Sequence, residues 1–122
     1  VWGSYDVLDS ATGEKVGMLE RKGLKSVIRD EWNIYDAQDQ QIGMIQEDSQ
    51  ALALIRRFLV NLIPQSYTAT VQGQHVATYK QNFNPFLLKI TIDFSPDTAN
   101  LLDRRLGIAA AILLSAIEGR QR

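Results

Sequence analysis

Residues 5–20, YDVLDSATGEKVGMLE, and residues 32–47, WNIYDAQDQQIGMIQE, carry one pattern twice. Tyr5, Val7 and Asp9 correspond to Trp32, Ile34 and Asp36, and Val16-Gly17-Met18-Leu19 corresponds to Ile42-Gly43-Met44-Ile45. A fainter third copy runs through Tyr67, Ala69 and Val71, then Gly73, then Val76, Ala77 and Tyr79. Each copy is an alternating run, a polar turn and a second alternating run, the signature of a β-hairpin buried on one face. The turns read SATGE, AQDQ and QGQ, with Gly13 and Gly73 suited to positive φ. Gly17 and Gly43 fall inside strands, where glycine marks a bend or a bulge. Tandem hairpins build an antiparallel meander, each copy supplying one stave of a wall.

A further strand is plain in LLKITIDF, where Leu88, Ile90, Ile92 and Phe94 face one way and Lys89, Thr91 and Asp93 the other. With a short strand at Lys25 to Arg29, the expected total is about seven or eight strands. Two segments follow the helical period instead. SQALALIRRFLVNLI has apolar residues at 51, 54, 55, 58, 59 and 62, an N-cap at Asp48 or Ser49, and Pro64 as its stop. SPDTANLLDRRLGIAAAILLSAIEGR opens on Ser95 as cap, Pro96 and Asp97 in the first turn, and closes on Gly119 and Arg120. From Leu106 to Ile117 this second helix has no polar side, which predicts a helix surrounded by protein. The fold class expected is mainly β with α, as one domain over residues 1–122. Its hairpin meander curls into a barrel around a central hydrophobic C-terminal helix, with one amphipathic surface helix added.

A chain of 122 residues buries enough surface for one core. Thirteen basic and 14 acidic side chains leave a net charge of -1, so nothing draws the whole molecule to nucleic acid or to an anionic membrane. The absence of cysteine excludes disulfides, thiolate catalysis and a thiolate zinc site. The uncharged run from Leu106 to Ile117 spans about 18 Å as a helix, short of a bilayer core. The chain opens on Val1 without a signal-like apolar run, so it reads as processed or as part of a longer product. The default location is cytoplasmic, peripheral to a membrane where the lipid reading below holds.

The hairpins YDVLDSATGEKVG and WNIYDAQDQQIG, the segment YTATVQGQHVATYKQ, and the closing strand followed by LLDRRLGIAAAILLSAIEG resemble one superfamily. It contains the tubby C-terminal domain, the phospholipid scramblases and the plant LURP-one-related proteins. The resemblance covers nearly the whole chain and rests on element order. It implies a closed antiparallel barrel around a hydrophobic C-terminal helix and a non-enzymatic role at phospholipid headgroups. The family barrel has more strands than are counted here, which implies that N-terminal strands lie outside this sequence. The amphipathic helix over 49–63 resembles a feature of bacterial scramblase-like proteins. The scramblases' proposed calcium loop has no counterpart: Asp93 and Asp97 lie in its region with too few carboxylates at ligand spacing.

The candidate binding residues are basic. Arg56 and Arg57 sit between apolar turns of the 49–63 helix and suit a membrane interface or a docking partner. Arg21, Lys22 and Lys25 in ERKGLKSVIRDE can hold a headgroup by charge-assisted hydrogen bonds, as the tubby resemblance implies. Glu20, Asp30 and Glu31 interleave with them, so a self-neutralising solvated face is the competing reading. His75, the one histidine, lies at the exit of the third turn with no nucleophile or carboxylate set beside it. DAQDQQ lacks the glycine and closing glutamate of a calcium loop. Asp103, Arg104 and Arg105 are expected to pair at the helix entrance, and Phe83 and Phe86 in QNFNPF to plug a barrel end. No catalytic residue, metal site or cofactor is assigned. The function expected is a lipid-associated module that binds anionic phospholipid; the alternative is a protein-interaction or structural domain. Nucleic acid is not an expected partner.

Overall fold

The computed structural model describes residues 3–22, 31–48, 65–82 and 89–118. Seven strands form one antiparallel sheet: β1 (Ser4–Leu8), β2 (Lys15–Arg21), β3 (Glu31–Asp36), β4 (Gln41–Glu47), β5 (Gln65–Val71), β6 (Gln74–Asn82) and β7 (Lys89–Asp93). Their order in the sheet is their order in the chain. The meander curls into a half-barrel with one helix, α1 (Arg104–Leu113), against its concave face. The helix runs on into a single π turn over Leu114–Glu118. The expected strand at Lys25–Arg29, the helix over 49–63 and the QNFNPF loop lie outside the described residues.

The repeat reaches down to a β-bulge. In each hairpin the register slips by one residue just after the turn: Val7 opposes Gly17 while Leu8 opposes Lys15. In the same way Ile34 and Tyr35 oppose Gly43 and Gln41, and Ala69 and Thr70 oppose Ala77 and His75. The extra residues, Val16, Ile42 and Val76, occupy one position of the three copies. A bulge bends its strand and increases the local twist, so three of them in matching places curl a sheet that would otherwise stay open. The residue that follows is glycine wherever another strand lies close outside. A Cβ on Gly17 would come to 2.5 Å from the carbonyl oxygen of Tyr35 on β3, and one on Gly43 would overlap the carbonyl of Thr70 on β5. The third copy has Ala77 there, because β7 begins to pair with β6 only at Thr78. Gly13 and Gly73 hold positive φ in the turns.

Side chains at alternate positions fill the concavity. Opposed residues form rows across the sheet, Tyr5-Leu19-Ile34 in one and Trp32-Ile45-Ala69-Ala77 in the next. Leu102, Leu106, Ala110, Ala111 and Leu114 complete the core from the helix side. Tyr79 of β6 ties the layers together with a 2.7 Å hydrogen bond from its hydroxyl to the Gly107 carbonyl.

The helix begins later than its sequence pattern predicts. Asp97 does not open a helix: its carboxylate accepts the backbone N–H groups of Leu101 and Leu102, and Asn100 adopts a left-handed φ of 56°. These groups fold 95–103 into turns, and Asp103 caps α1 instead by accepting from the Arg105 N–H.

Candidate binding surface

The helix entrance gathers Asp97, Asp103, Arg104 and Arg105 with Asp9 of the first hairpin turn. Asp97 has a side chain 1% exposed and accepts 2.7 Å from Arg104, whose guanidinium lies 4.7 Å over the Phe94 ring. Burial pushes the Asp97 carboxyl up, but Arg104 and the two amides outweigh it and hold the group below the usual carboxylate range. Arg105 bonds to both Asp103 and Asp9, fastening the helix start to the first hairpin turn. Its guanidinium lowers both carboxyls from their ordinary values. Every charge in this group has a partner of opposite sign, which gives the cluster the character of a clasp.

The helix flank is different. Leu106, Ala110 and Leu114, spaced four apart, face the sheet and are buried. Ile108 and Ile112, also four apart, lie about half a turn round from them, 50% and 63% exposed. Together with Ile90, Ala111, Ser115 and Ala116 they line an open groove of about 400 Å³ between α1 and β7. Ser115 supplies the one polar side chain of this lining. The π turn begins at Leu114, whose N–H is shared between the carbonyls of Ala110 and Ala111, and contributes the last two lining residues. Widened turns of this type recur at functional sites.

The helix with no polar side, expected to be enclosed, is thus covered on its sheet side and open on one flank. The reason lies in the sheet. Among the described residues β1 and β7 each pair with a single neighbour, so the half-barrel has two edges and the β7 edge borders the groove. Ile90 and Ile92 point from that edge toward the core, while Lys89, Thr91 and Asp93 are exposed on the outer face.

No protein family, curated protein or solved structure matches the chain.

Of the basic residues singled out in the sequence, Arg56, Arg57 and Lys25 lie outside the described residues. Arg21 is the last residue of β2 and only 6% exposed, on the same inward face as Leu19. Lys22 lies 3.6 Å from the Glu31 carboxylate, and their backbones are joined by a Lys22 N–H bond to the Glu31 carbonyl. The structure does not bring these two together with the groove. His75 is exposed at the turn, its Nε2 2.9 Å from the Thr78 hydroxyl and 3.1 Å from the Ala77 carbonyl. Among the described residues no three carboxylate or imidazole groups gather at metal-binding distance. No helix among them is long and apolar enough to cross a membrane.

Sequence reasoning missed Ile108 and Ile112 as surface residues. Their spacing places them on one stripe, but only the strand pairing reveals that this stripe is left uncovered.

Proposed function

We propose that this domain is a non-catalytic protein-interaction module whose working surface is the apolar groove beside α1. The observation that carries the reading is the pair Ile108 and Ile112, two large aliphatic side chains at least half exposed on a helix flank, continuous with Ile90 and Ala116. Exposed apolar surface gathered into one patch marks a docking site far more often than scattered single residues do. The groove suits an aliphatic ridge from another polypeptide, since hydrogen-bonding groups in its lining are scarce.

The second reading is the headgroup-binding module that the tubby and scramblase resemblance implies. It draws support from Arg56, Arg57 and Lys25. Burial of Arg21 and the contact of Lys22 with Glu31 lend it no further cation.

The discriminating experiment places a photo-crosslinking amino acid at Ile112, with exposed Thr98 as control site, and identifies adducts formed in cells by mass. The expected result is a protein adduct specific to position 112. Adducts with lipid alone would overturn this reading in favour of the headgroup module, and no adduct at all would remove the groove as a working surface.

A further inference from the structure

We infer that the occupant of this groove is a second copy of the same chain, joined through β7 as an antiparallel β7–β7 pair about a two-fold axis at Thr91. The inference rests on the reading of the α1 flank as a docking surface and names its partner.

Three observations lead to it. First, β7 is an edge strand whose outer side pairs with no described strand, while its inward residues Ile90 and Ile92 lie against the core beside the groove. An unpaired edge is a row of backbone donors and acceptors open to another strand. Second, the sequence of β7, KITID, is self-complementary when run against itself. With Thr91 opposite its own copy, Lys89 faces Asp93, Ile90 faces Ile92, and by symmetry each pair occurs twice. Opposite charges directly across a ladder favour pairing, whereas like charges oppose it. A shift of two residues in either direction leaves these charges unmatched. A shift of one would turn the second copy over and put its helix on the other face of the sheet. Edge lysines ordinarily discourage strand addition, and this register is the one that turns Lys89 into an attraction.

Third, the alternatives offered by the same sheet are weaker. Strands alternate in direction along the meander, so β1 and β7 run the same way. Joining the β7 of one copy to the β1 of another, helices on the same side, therefore makes a parallel pair. That pairing is the less stable kind per residue, and its heterologous interface makes a closed assembly only where the rotation between copies closes. A β1–β1 pair is antiparallel but centres on Asp6, placing two carboxylates opposite each other. The β7–β7 arrangement is closed and isologous and joins the two sheets into one. Because neighbouring strands lie about 4.8 Å apart, it brings the two α1 flanks to the same side of the junction, where Ile108 and Ile112 of each face the other's groove.

The test uses the purified 122-residue chain, which has no cysteine of its own. Thr91→Cys places one thiol on the axis. Mild oxidation is expected to join two chains through a Cys–Cys disulfide, each thiol losing one proton and one electron to the added oxidant, diamide. Thr98→Cys, exposed at the turn end, is expected not to cross-link. In sedimentation equilibrium the unmodified chain should show twice the 13.7 kDa chain mass. Lys89→Asp should raise the dissociation constant at least about tenfold, and Lys89→Asp with Asp93→Lys should recover the dimer. A chain that is monomeric at every concentration, or a dimer in which Thr91→Cys fails to cross-link, would overturn the inference. A heterologous protein adduct at Ile112 in cells would then leave the docking surface standing with a different occupant, whereas silence in both experiments would remove the two together.

Discussion

The hydroxyl of Tyr79 on β6 donates to the carbonyl oxygen of Gly107 on α1, 28 residues later in the chain, across a fully buried 2.7 Å hydrogen bond. It is a direct polar link between helix and sheet within the core. A Cβ on Gly107 would fall 2.6 Å from the Phe94 ring, so the helix meets the C-terminal side of the sheet at close range.

Tyr79→Phe removes this link and little else. The expected cost is about 1 kcal/mol, seen as a fall of roughly 4 °C in the thermal midpoint. Burial pushes the Tyr79 phenol far above its usual value, so the folded state keeps its proton where the unfolded chain would lose it. Its contribution is full below about pH 10 and is lost as pH rises past that value toward the raised one. Glu20 and burial also raise Tyr35, so the wild type and Tyr79→Phe must be compared to isolate Tyr79. Their difference in stability should narrow as the pH is raised above about 10 in urea titrations.

Asp97 carries the corresponding acid-side prediction. Its carboxylate, deep under the turn, serves two amides and Arg104. Asp97→Asn keeps the shape and removes the charge, and it should cost about 2 kcal/mol at neutral pH. A carboxyl held below its ordinary value contributes stability above about pH 4 and loses it as pH falls through the depressed value. The wild-type and variant curves should therefore converge below about pH 4 when unfolding is followed by circular dichroism. Equal differences at all pH values would mean that the charge itself contributes nothing. Arg105→Ala, at a half-exposed guanidinium, should leave the midpoint almost unchanged.

The alternation that made the hairpins legible is local, which is why Tyr5, Trp32 and Tyr67 could be aligned before any contact was known. The bulges were half legible: Gly17 and Gly43 signalled an irregularity, but the reason Ala77 replaces glycine in the third copy is the point at which β7 begins to pair. Arg21 was readable in principle, since counting by two from Leu19 puts it on the inward face. The charges around it, Glu20, Lys22, Asp30 and Glu31, carry the opposite signal of a solvated face. The late start of α1 escaped because Ser95-Pro96-Asp97 is a good helix opening by every local rule, and the backbone at Asn100 overrides it. The groove escaped for a longer-range reason. An apolar helix announces that it needs cover, and the number of sides that receive it depends on which strands pair at the sheet edges.

The two close-approach glycines should be far less tolerant than the turn glycines. Gly43→Ala forces the β4–β5 ladder apart at Thr70, and Gly17→Ala does the same at Tyr35 while pressing on Leu106. Each is expected to cost at least about 2 kcal/mol in urea unfolding. Gly13→Ala has open space around it and only an unfavourable φ to adopt, so about 1 kcal/mol is expected. If Gly43→Ala were as mild as Gly13→Ala, the bulge would not be holding β4 as close to β5 as the structure places it.

Gln81 gives a prediction of opposite sign. It is the inward-facing residue two beyond Tyr79 on β6, 1% exposed, and neither its Nε2 nor its Oε1 finds a hydrogen-bond partner among the described residues. Taking an amide out of water without replacing its bonds costs about 1–3 kcal/mol on protein scales. Gln81→Met has nearly the same volume and no such demand, and it fills the same core with less penalty. The variant is therefore expected to be more stable than wild type by about 1 kcal/mol, read as a higher urea midpoint at unchanged slope. A destabilised Gln81→Met would mean that the amide is satisfied in solution, and that this end of the concave face holds a polar partner for it.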